Sequence, residues 1–452
     1  MFARSLFIFR RDLRLRDNTG LLAAAAQSKS IIPLFIVDPA LLQRNRDANY
    51  RMTFLAQSLE KLDEEISTFG GRLSVLGGSP AKIIPTLLDT REIDAVFINR
   101  DYTPFSQNRD RILVQICRQF NISLHQYADQ LLNEPESVLK ADETPYRMFT
   151  PYYRKAKEYR VEAPAKTVQL HFDVDISGTL LDSRLSQYLQ QSLPGISAGC
   201  DGAQRLLSDL GRLDGYDQSR DLPGMDGTSG LSAHLRFGTC SVRDVYHRAN
   251  KDLQAPEAFK RQLYWRDFYH HIGHHFPHVY QRAFQSKYDA LQWDHNPDAL
   301  AKWCTGKTGF PIVDAGMREL AATGTMHNRA RMIVASFLTK NLHIDWREGE
   351  KHFARLLVDF DPALNNGNWQ WSASTGCDAQ PYFRVFNPWR QQRRYDKDCT
   401  YIKRWIPELS PYSAREIHGL EKKTDIYLPP IADLRLSSEE SKRRFKRLSS
   451  QN

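Results

Sequence analysis

Cysteine is scarce and scattered: the 452 residues hold six, at positions 117, 200, 240, 304, 377 and 399, with no C-x-x-C pair. That excludes a disulfide framework and a cysteine zinc knuckle, and it fits a reducing compartment. No stretch approaches the ~20 apolar residues of a membrane helix. The apolar run Ser5-Leu6-Phe7-Ile8-Phe9 stops at Arg10-Arg11, too short for the core of a signal sequence. A cytoplasmic protein without a membrane segment is expected. No internal repeat is present, and no G-x-G-x-x-G follows the first apolar run, so the usual dinucleotide fingerprint is missing. Thr305-Gly306-Lys307-Thr308 has the tail of a P-loop, but Ala301 stands where its first glycine belongs and no strand precedes it. His270 and His274, and His271 and His275, are spaced by one helical turn, yet the glutamate of H-E-x-x-H is absent and no cysteine lies nearby. Partly exposed helix histidines, with no metal, are the expectation.

What is there is an ordinary globular composition, 41% hydrophobic, 25% charged and 11% aromatic, which excludes disorder over most of the length. At roughly 100–200 residues per domain the chain has room for two or three domains. Lys and Arg number 62 against 53 Asp and Glu, an excess of nine. A basic chain rich in aromatics suits a polyanion whose bases can stack.

Over the first 130 residues short apolar runs alternate with longer amphipathic ones, the pattern of βαβ units. Strands are expected at 5–9, 31–37, 73–76, 94–99 and 122–127. A helix is expected at 51–69, where Met52, Leu55, Leu59, Leu62 and Ile66 recur every three or four residues. Open parallel sheets bind ligands beyond the carboxyl ends of their strands. Those ends carry Arg10-Arg11-Asp12-Leu13-Arg14, Asp38-Pro39 and Asn99-Arg100-Asp101-Tyr102. The arginines suit either a bound anion or salt bridges within the loops. Residues 131–200, with weak periodicity and many polar positions, read as an interdomain connection laid over the surface. From 201 to 436 helix patterns dominate, with clear candidates at 258–272, 312–322, 328–342 and 348–358. Residues 437–452 are Ser-, Lys- and Arg-rich and read as a frayed basic tail.

Two segments carry chemistry. Gly227-Thr228-Ser229-Gly230-Leu231-Ser232 places hydroxyls and free N–H groups ahead of an apolar helix, suited to an anion or to a plain helix cap. From Asp359 to Trp371, two acids, three asparagines, a glutamine and two tryptophans fall within thirteen positions. So many polar groups beside large aromatics point to a pocket for a flat, hydrogen-bonding ligand. No nucleophile–base pair and no paired catalytic acids announce hydrolysis.

At these residues the chain resembles the photolyase/cryptochrome flavoproteins, and is most similar to class I cyclobutane pyrimidine dimer photolyases. The resemblance runs through Phe9-Arg10-Arg11-Asp12-Leu13-Arg14, Thr228-Ser229-Gly230-Leu231-Ser232, Trp265-Arg266-Asp267-Phe268, Thr308-Gly309-Phe310-Pro311-Ile312-Val313-Asp314-Ala315-Gly316-Met317-Arg318 and Asn387-Pro388. It implies an α/β amino-terminal domain, a doubly wound parallel sheet that holds an antenna chromophore (1–130), and an all-helical FAD-binding domain (201–436). It also implies light-driven repair, in which excited reduced FAD gives an electron to a flipped pyrimidine dimer and recovers it. By the same resemblance Tyr216, Thr228, Ser229, Leu231 and Ser232 hold the FAD phosphates. Arg331, Asp359, Asp361 and Asn365 line its isoalloxazine and ribityl side, Asn365 donating or accepting a hydrogen bond as the redox state demands. Trp369, Trp346 and Trp293 match the relay that carries electrons to oxidised flavin. Gln262, Trp265, Asn328, Met332 and Trp371 match the lesion pocket, where flat groups stack on extruded bases. Arg220 and Arg329 match phosphate contacts.

Six-four photolyases carry two pocket histidines where this chain has Asn328 and Met332, so cyclobutane dimers are the expected lesion. Gln262 departs from the glutamate usual in dimer photolyases and supplies neither carboxylate nor proton. A six-four photolyase and a cryptochrome photoreceptor are the alternatives, and against the latter the carboxyl extension is short. The family's antennae are folate, deazaflavin, FMN or a second FAD, and the sequence selects none. The expected partner is ultraviolet-damaged DNA, met by a cytoplasmic, nucleoid-associated monomer.

Overall fold

The computed structural model describes residues 1–45, 47–166, 168–173, 183–423 and 425–449. Parts of the expected connection (167 and 174–182) and the last three residues of the expected tail lie outside them. The chain divides into two compact units. The first comprises Met1–Pro145, Thr150–Asp214 and Ser229–His274, and the second Tyr146–Phe149, Gly215–Thr228 and His275–Asn452.

In the first unit five parallel strands lie in the order β3-β2-β1-β4-β5: β1 Phe2–Phe9, β2 Ser28–Val37, β3 Ser74–Gly77, β4 Ala95–Asn99 and β5 Ser123–Tyr127. All five expected strands form, and β1 reads as an almost unbroken apolar run because both its faces are covered. On one face Leu6 and Ile8 pack with Ile84, Leu87 and Leu88 of α3 (Pro80–Thr90) and Leu113, Ile116 and Cys117 of α4 (Pro104–Gln119). On the other, α1 (Thr19–Gln27) approaches so closely that a Cβ on Gly20 would lie 3.2 Å from the Phe7 ring and 2.7 Å from Asn99 Oδ1. The helix expected at 51–69 is α2, Asn49–Ser67. Helices on both faces of a parallel sheet make the doubly wound architecture.

The arginines after β1 divide between the two readings left open by the sequence. Arg14 is structural: its side chain is buried, donates to both oxygens of Asp129 at 2.8 and 2.7 Å and reaches the Asp17 and Gly238 carbonyls. Arg243 joins the same carboxylate at 3.1 Å. Arg10 meets Asp110 at 2.5 Å, while its Nε and Nη2 are buried without a hydrogen-bond partner among the described residues. The segment read as a surface connection is instead partly core: Leu131, Val138, Tyr152, Ala156, Leu170 and Leu185 are buried. Tyr152 packs 5.2 Å from Phe268 on α6 (Glu257–His275), which follows the short helix α5 (Ser232–Phe237).

The second unit is helical. Its core is built by α7 (Pro311–Thr323), α8 (Asn328–Lys340), α9 (Trp346–Leu356) and α10 (Pro362–Ala373). The apolar stripe of α8, Ala330, Ile333, Val334, Phe337 and Leu338, is fully buried, as its spacing demands. The expected basic tail is also helical: α11 spans Leu434–Ser449, with Ser441 and Phe445 buried. All six cysteines are free; Cys117, Cys240, Cys377 and Cys399 are buried, and burial pushes their thiols up to about 11, 12, 12 and 12. No helix among the described residues is long and apolar enough to cross a membrane.

Candidate active site

In the second unit the candidate residues come from α8, α10 and the loops before them. His327 caps α8 through its imidazole, Nδ1 accepting from the Arg329 N–H at 3.1 Å. Asp361 caps α10, accepting from the Ala363 and Leu364 N–H groups at 2.9 and 3.2 Å, with Pro362 at the first helical position. These two caps fix where each helix starts, and so which side chains share a face.

On α8 the first turn presents Asn328 exposed and Met332 half-buried, the Asn328 Nδ2 lying 3.7 Å from the Met332 sulfur one turn away. Arg331 turns to the loop before α10, donating to Asp359 Oδ2 at 2.9 Å and to the Met326 carbonyl at 2.8 Å. The other oxygen of Asp359 is buried with no partner among the described residues. Arg329 pairs with Asp221 at 2.6 Å and lies 4.2 Å over the Tyr395 ring.

On α10, positions four apart share a face and positions two apart oppose each other. Asn365 and Trp369 are thus together and buried, while Trp371 is half-exposed on the other side. Asn365 donates to the Glu350 carbonyl at 3.1 Å. The indole N–H of Trp369 is buried without a partner among the described residues. Trp369 and Trp346 belong to one buried cluster, and Trp293 is half-buried against it. Tyr216 opens a single turn, Tyr216–Ser219, entered through Gly215 at φ +82°, and burial raises its phenol. Arg220 lies 5.9 Å from that ring, and Thr228 is half-buried.

In the first unit Leu231 is buried at the start of α5, and its N–H donates to Ser229 Oγ at 3.3 Å; Ser232 is exposed. On α6, Gln262 and Trp265 are half-buried, Gln262 donating back to the Ala258 carbonyl at 3.3 Å. Behind Trp265 the motif is scaffold. Arg266 donates to the Gln130 carbonyl at 2.8 Å, and Asp267 accepts from Leu132 and Asn133 N–H at 2.9 and 3.0 Å. Burial pushes the Asp267 carboxyl up to about 7 despite Arg266 beside it.

Some residues escape sequence reasoning. Glu350 holds Asn365 through its carbonyl and Asn366 through its carboxyl at 3.1 Å, and burial raises that carboxyl to about 7. Gly349 leaves the space that Trp369 fills, a Cβ there lying 2.1 Å from the indole. Trp303 lies edge-on to Trp369 at 6.1 Å. In the charge-rich run Arg347-Glu348-Gly349-Glu350-Lys351 nothing sets the half-buried Glu350 apart from the charges around it.

A chain holding FAD needs buried polar atoms left for it. Asp359 Oδ1 and the Trp369 N–H, flanking the neutral Asn365, meet that test.

Comparison with known proteins agrees. Residues 5–173 match the family model for DNA photolyase, and 259–447 that for the FAD binding domain of DNA photolyase. The deoxyribodipyrimidine photo-lyase of Synechococcus sp. is 38% identical over 432 residues, covering 90% of this chain and 89% of its own. The archaeal photolyase of Sulfolobus tokodaii, solved with two FAD molecules, superposes with a TM-score of 0.90 at 38% identity, over 98% of this chain and 100% of its own. A bacterial class III photolyase from Agrobacterium tumefaciens gives 0.91 at 33% identity, over 100% and 98%.

Proposed function

The chain belongs to the DNA photolyase family, and from that premise we propose that it repairs cyclobutane pyrimidine dimers in DNA by light-driven electron transfer from FAD. Reduced FAD, once excited, supplies the electron and takes it back, so the reaction leaves no net redox change. The observation that carries the reading is the arrangement on α8 and α10. The Arg331–Asp359 pair has one buried oxygen to spare, neutral Asn365 lies in the first turn of α10 just after it, and Met332 and Trp371 are only half-buried.

The chain's own residues then divide the work. Tyr216, Thr228, Ser229, Leu231 and Ser232 bind the phosphates through hydroxyl and N–H groups. Arg331, Asp359, Asp361 and Asn365 orient the ring and ribityl chain; Asp361, already capping α10, does so as a fixed part of the helix start. Trp293, Trp346 and Trp369 pass electrons inward when the cofactor is oxidised. Trp265, Met332 and Trp371 offer flat apolar surface to the extruded dimer, with Gln262 and Asn328 at base edges, and Arg220 and Arg329 face backbone phosphate. Neither Asn328 nor Met332 transfers a proton, which directs the site to cyclobutane dimers rather than six-four photoproducts.

The same reading extends to an antenna chromophore in the first unit. A cleft of about 100 Å³, open to solvent, lies among Asp38, Ser79, Phe105, Asn108 and Arg109 at the carboxyl end of the sheet. Arg109, which lines it, keeps Nη2 buried without a partner among the described residues, a charge suited to an anionic antenna.

The test is light-dependent repair by anaerobically reduced protein on two oligonucleotides, one with a thymine cyclobutane dimer and one with a six-four photoproduct. Repair of the first alone is expected. Repair of the second overturns the lesion assignment, and repair of neither by FAD-loaded protein moves the chain to the photoreceptors.

A further inference from the structure

Trp293 borders two clusters. One is the core that contains Trp346 and Trp369; the other is a small group of Ala283, Tyr288, Leu291 and Phe445, flanked by Tyr382 and Leu448. Phe445 and Leu448 come from α11. From the same helix Arg444 grips the chain on both sides of Trp293. Its Nη1 donates to the Gln292 carbonyl at 3.1 Å and to Asp294 Oδ1 at 2.8 Å, and its Nη2 to Asp294 Oδ2 at 3.1 Å. Glu440 orients the guanidinium, accepting from Nε at 2.8 Å. Asp294 is held from behind as well, its N–H donating to the His343 carbonyl at 2.8 Å. Next to it in sequence, Phe445 is 2% exposed between Tyr288 and Tyr382, ring centroids 5.4 and 5.6 Å away, with the Lys340 Nζ 3.8 Å from its centre.

We infer that α11 is a latch over the outer end of the tryptophan relay, with Arg444 the positioning residue that holds Trp293 and limits its contact with external reductants. The inference rests on the reading of Trp293 as the outermost relay member. Each electron that Trp293 would pass inward leaves an indole radical cation that sheds its N–H proton to solvent, and an external thiol restores the indole by giving up one electron and a proton, becoming a thiyl radical that pairs with a second thiyl as a disulfide. Access to that radical depends on how often α11 lifts. Lifting breaks the forked ion pair and withdraws Phe445, so the latch is a local opening equilibrium separate from global unfolding.

The experiment uses full-length, FAD-loaded protein and follows photoreduction against thiol concentration, together with amide exchange over α11 and residues 292–294. A partly exposed ion pair is worth up to about 1 kcal/mol, so Arg444→Ala is expected to lower the half-saturating thiol concentration about two- to fivefold. The rate at saturating thiol stays unchanged, exchange in α11 quickens, and Arg444→Lys falls between. Dimer repair by chemically pre-reduced Arg444→Ala equals wild type, because repair does not pass through Trp293. Asp294→Ala opens the same clamp from the other side and decides the matter if Arg444→Ala does not fold. Faster exchange with an unchanged thiol dependence in these variants overturns the latch. Trp293→Phe separates the two readings: lost photoreduction there with no effect of Arg444→Ala rejects the latch and keeps the relay, whereas unchanged photoreduction in Trp293→Phe rejects the relay itself.

Discussion

Asp359 is the side chain on which most converges, with one oxygen on Arg331 and the other buried and unfilled. Asp359→Ala leaves the Arg331 guanidinium without its carboxylate and removes the spare acceptor. A hydrogen bond to a charged group is worth about 1.5–3 kcal/mol, so FAD affinity should fall some ten- to a hundredfold, read from flavin absorbance retained after gel filtration. Trp371→Ala should do the opposite, leaving FAD in place while losing about 1–3 kcal/mol of base stacking in a dimer-binding titration. Asp267 gives a pH signature. Its folded-state carboxyl lies at about 7 against an ordinary 3.8, so its stabilising proton is present below the unfolded value and lost as pH rises through 7. Asp267→Asn should therefore flatten the fall in melting temperature between about pH 4 and 7, a difference of about 2–4 kcal/mol at most. The sequence singles out this segment because amides and tryptophans crowded just after two acids have few uses in a core. Glu350 and Gly349 are not legible: their roles depend on which way α9 faces, and a carboxylate in a charged run reads as solvated until its neighbours are known.

Elements were easiest to read where period and burial agree. The five strands and the buried stripe of α8 follow directly from runs of apolar residues. Helix α11 does not, since Ser441 occupies a core-facing position and the inward apolar residues shrink to Leu434, Phe445 and Leu448. Its docking comes from Arg444 and from a single aromatic ring, whose partners Asp294 and Tyr382 lie far away in the chain, so no period within the helix announces it. The 131–200 segment misled for a related reason, its buried residues being too widely spaced to show a period. Packing between α9 and α10 supplies the test at this scale. Gly349→Ala puts a methyl group 2.1 Å from the Trp369 ring and 2.7 Å from Leu338, so the indole must move. Overpacking of this kind costs about 1–3 kcal/mol, visible as a lower melting temperature, and the displaced indole should slow photoreduction while FAD remains bound.

Taken whole, the molecule carries nine more basic than acidic residues, and its affinity for DNA should fall steeply with salt. Each phosphate contact contributes about 0.9 to the slope of log affinity against log salt, so Arg220→Ala should reduce that slope by about one while leaving the preference for damaged over intact DNA unchanged. A change in preference instead would place Arg220 at the bases. The cysteines bear on a different hazard. A chain that keeps a light-excited chromophore will meet peroxide and other oxidants of its own making throughout its working life. Thiols held at about 11 to 12 are almost wholly protonated and make poor targets. Oxidative wear should instead fall on sulfurs that need no ionisation, Met148 and Met225, each 56% exposed, so that ageing under illumination would be written in methionine sulfoxide at the surface and spare the core.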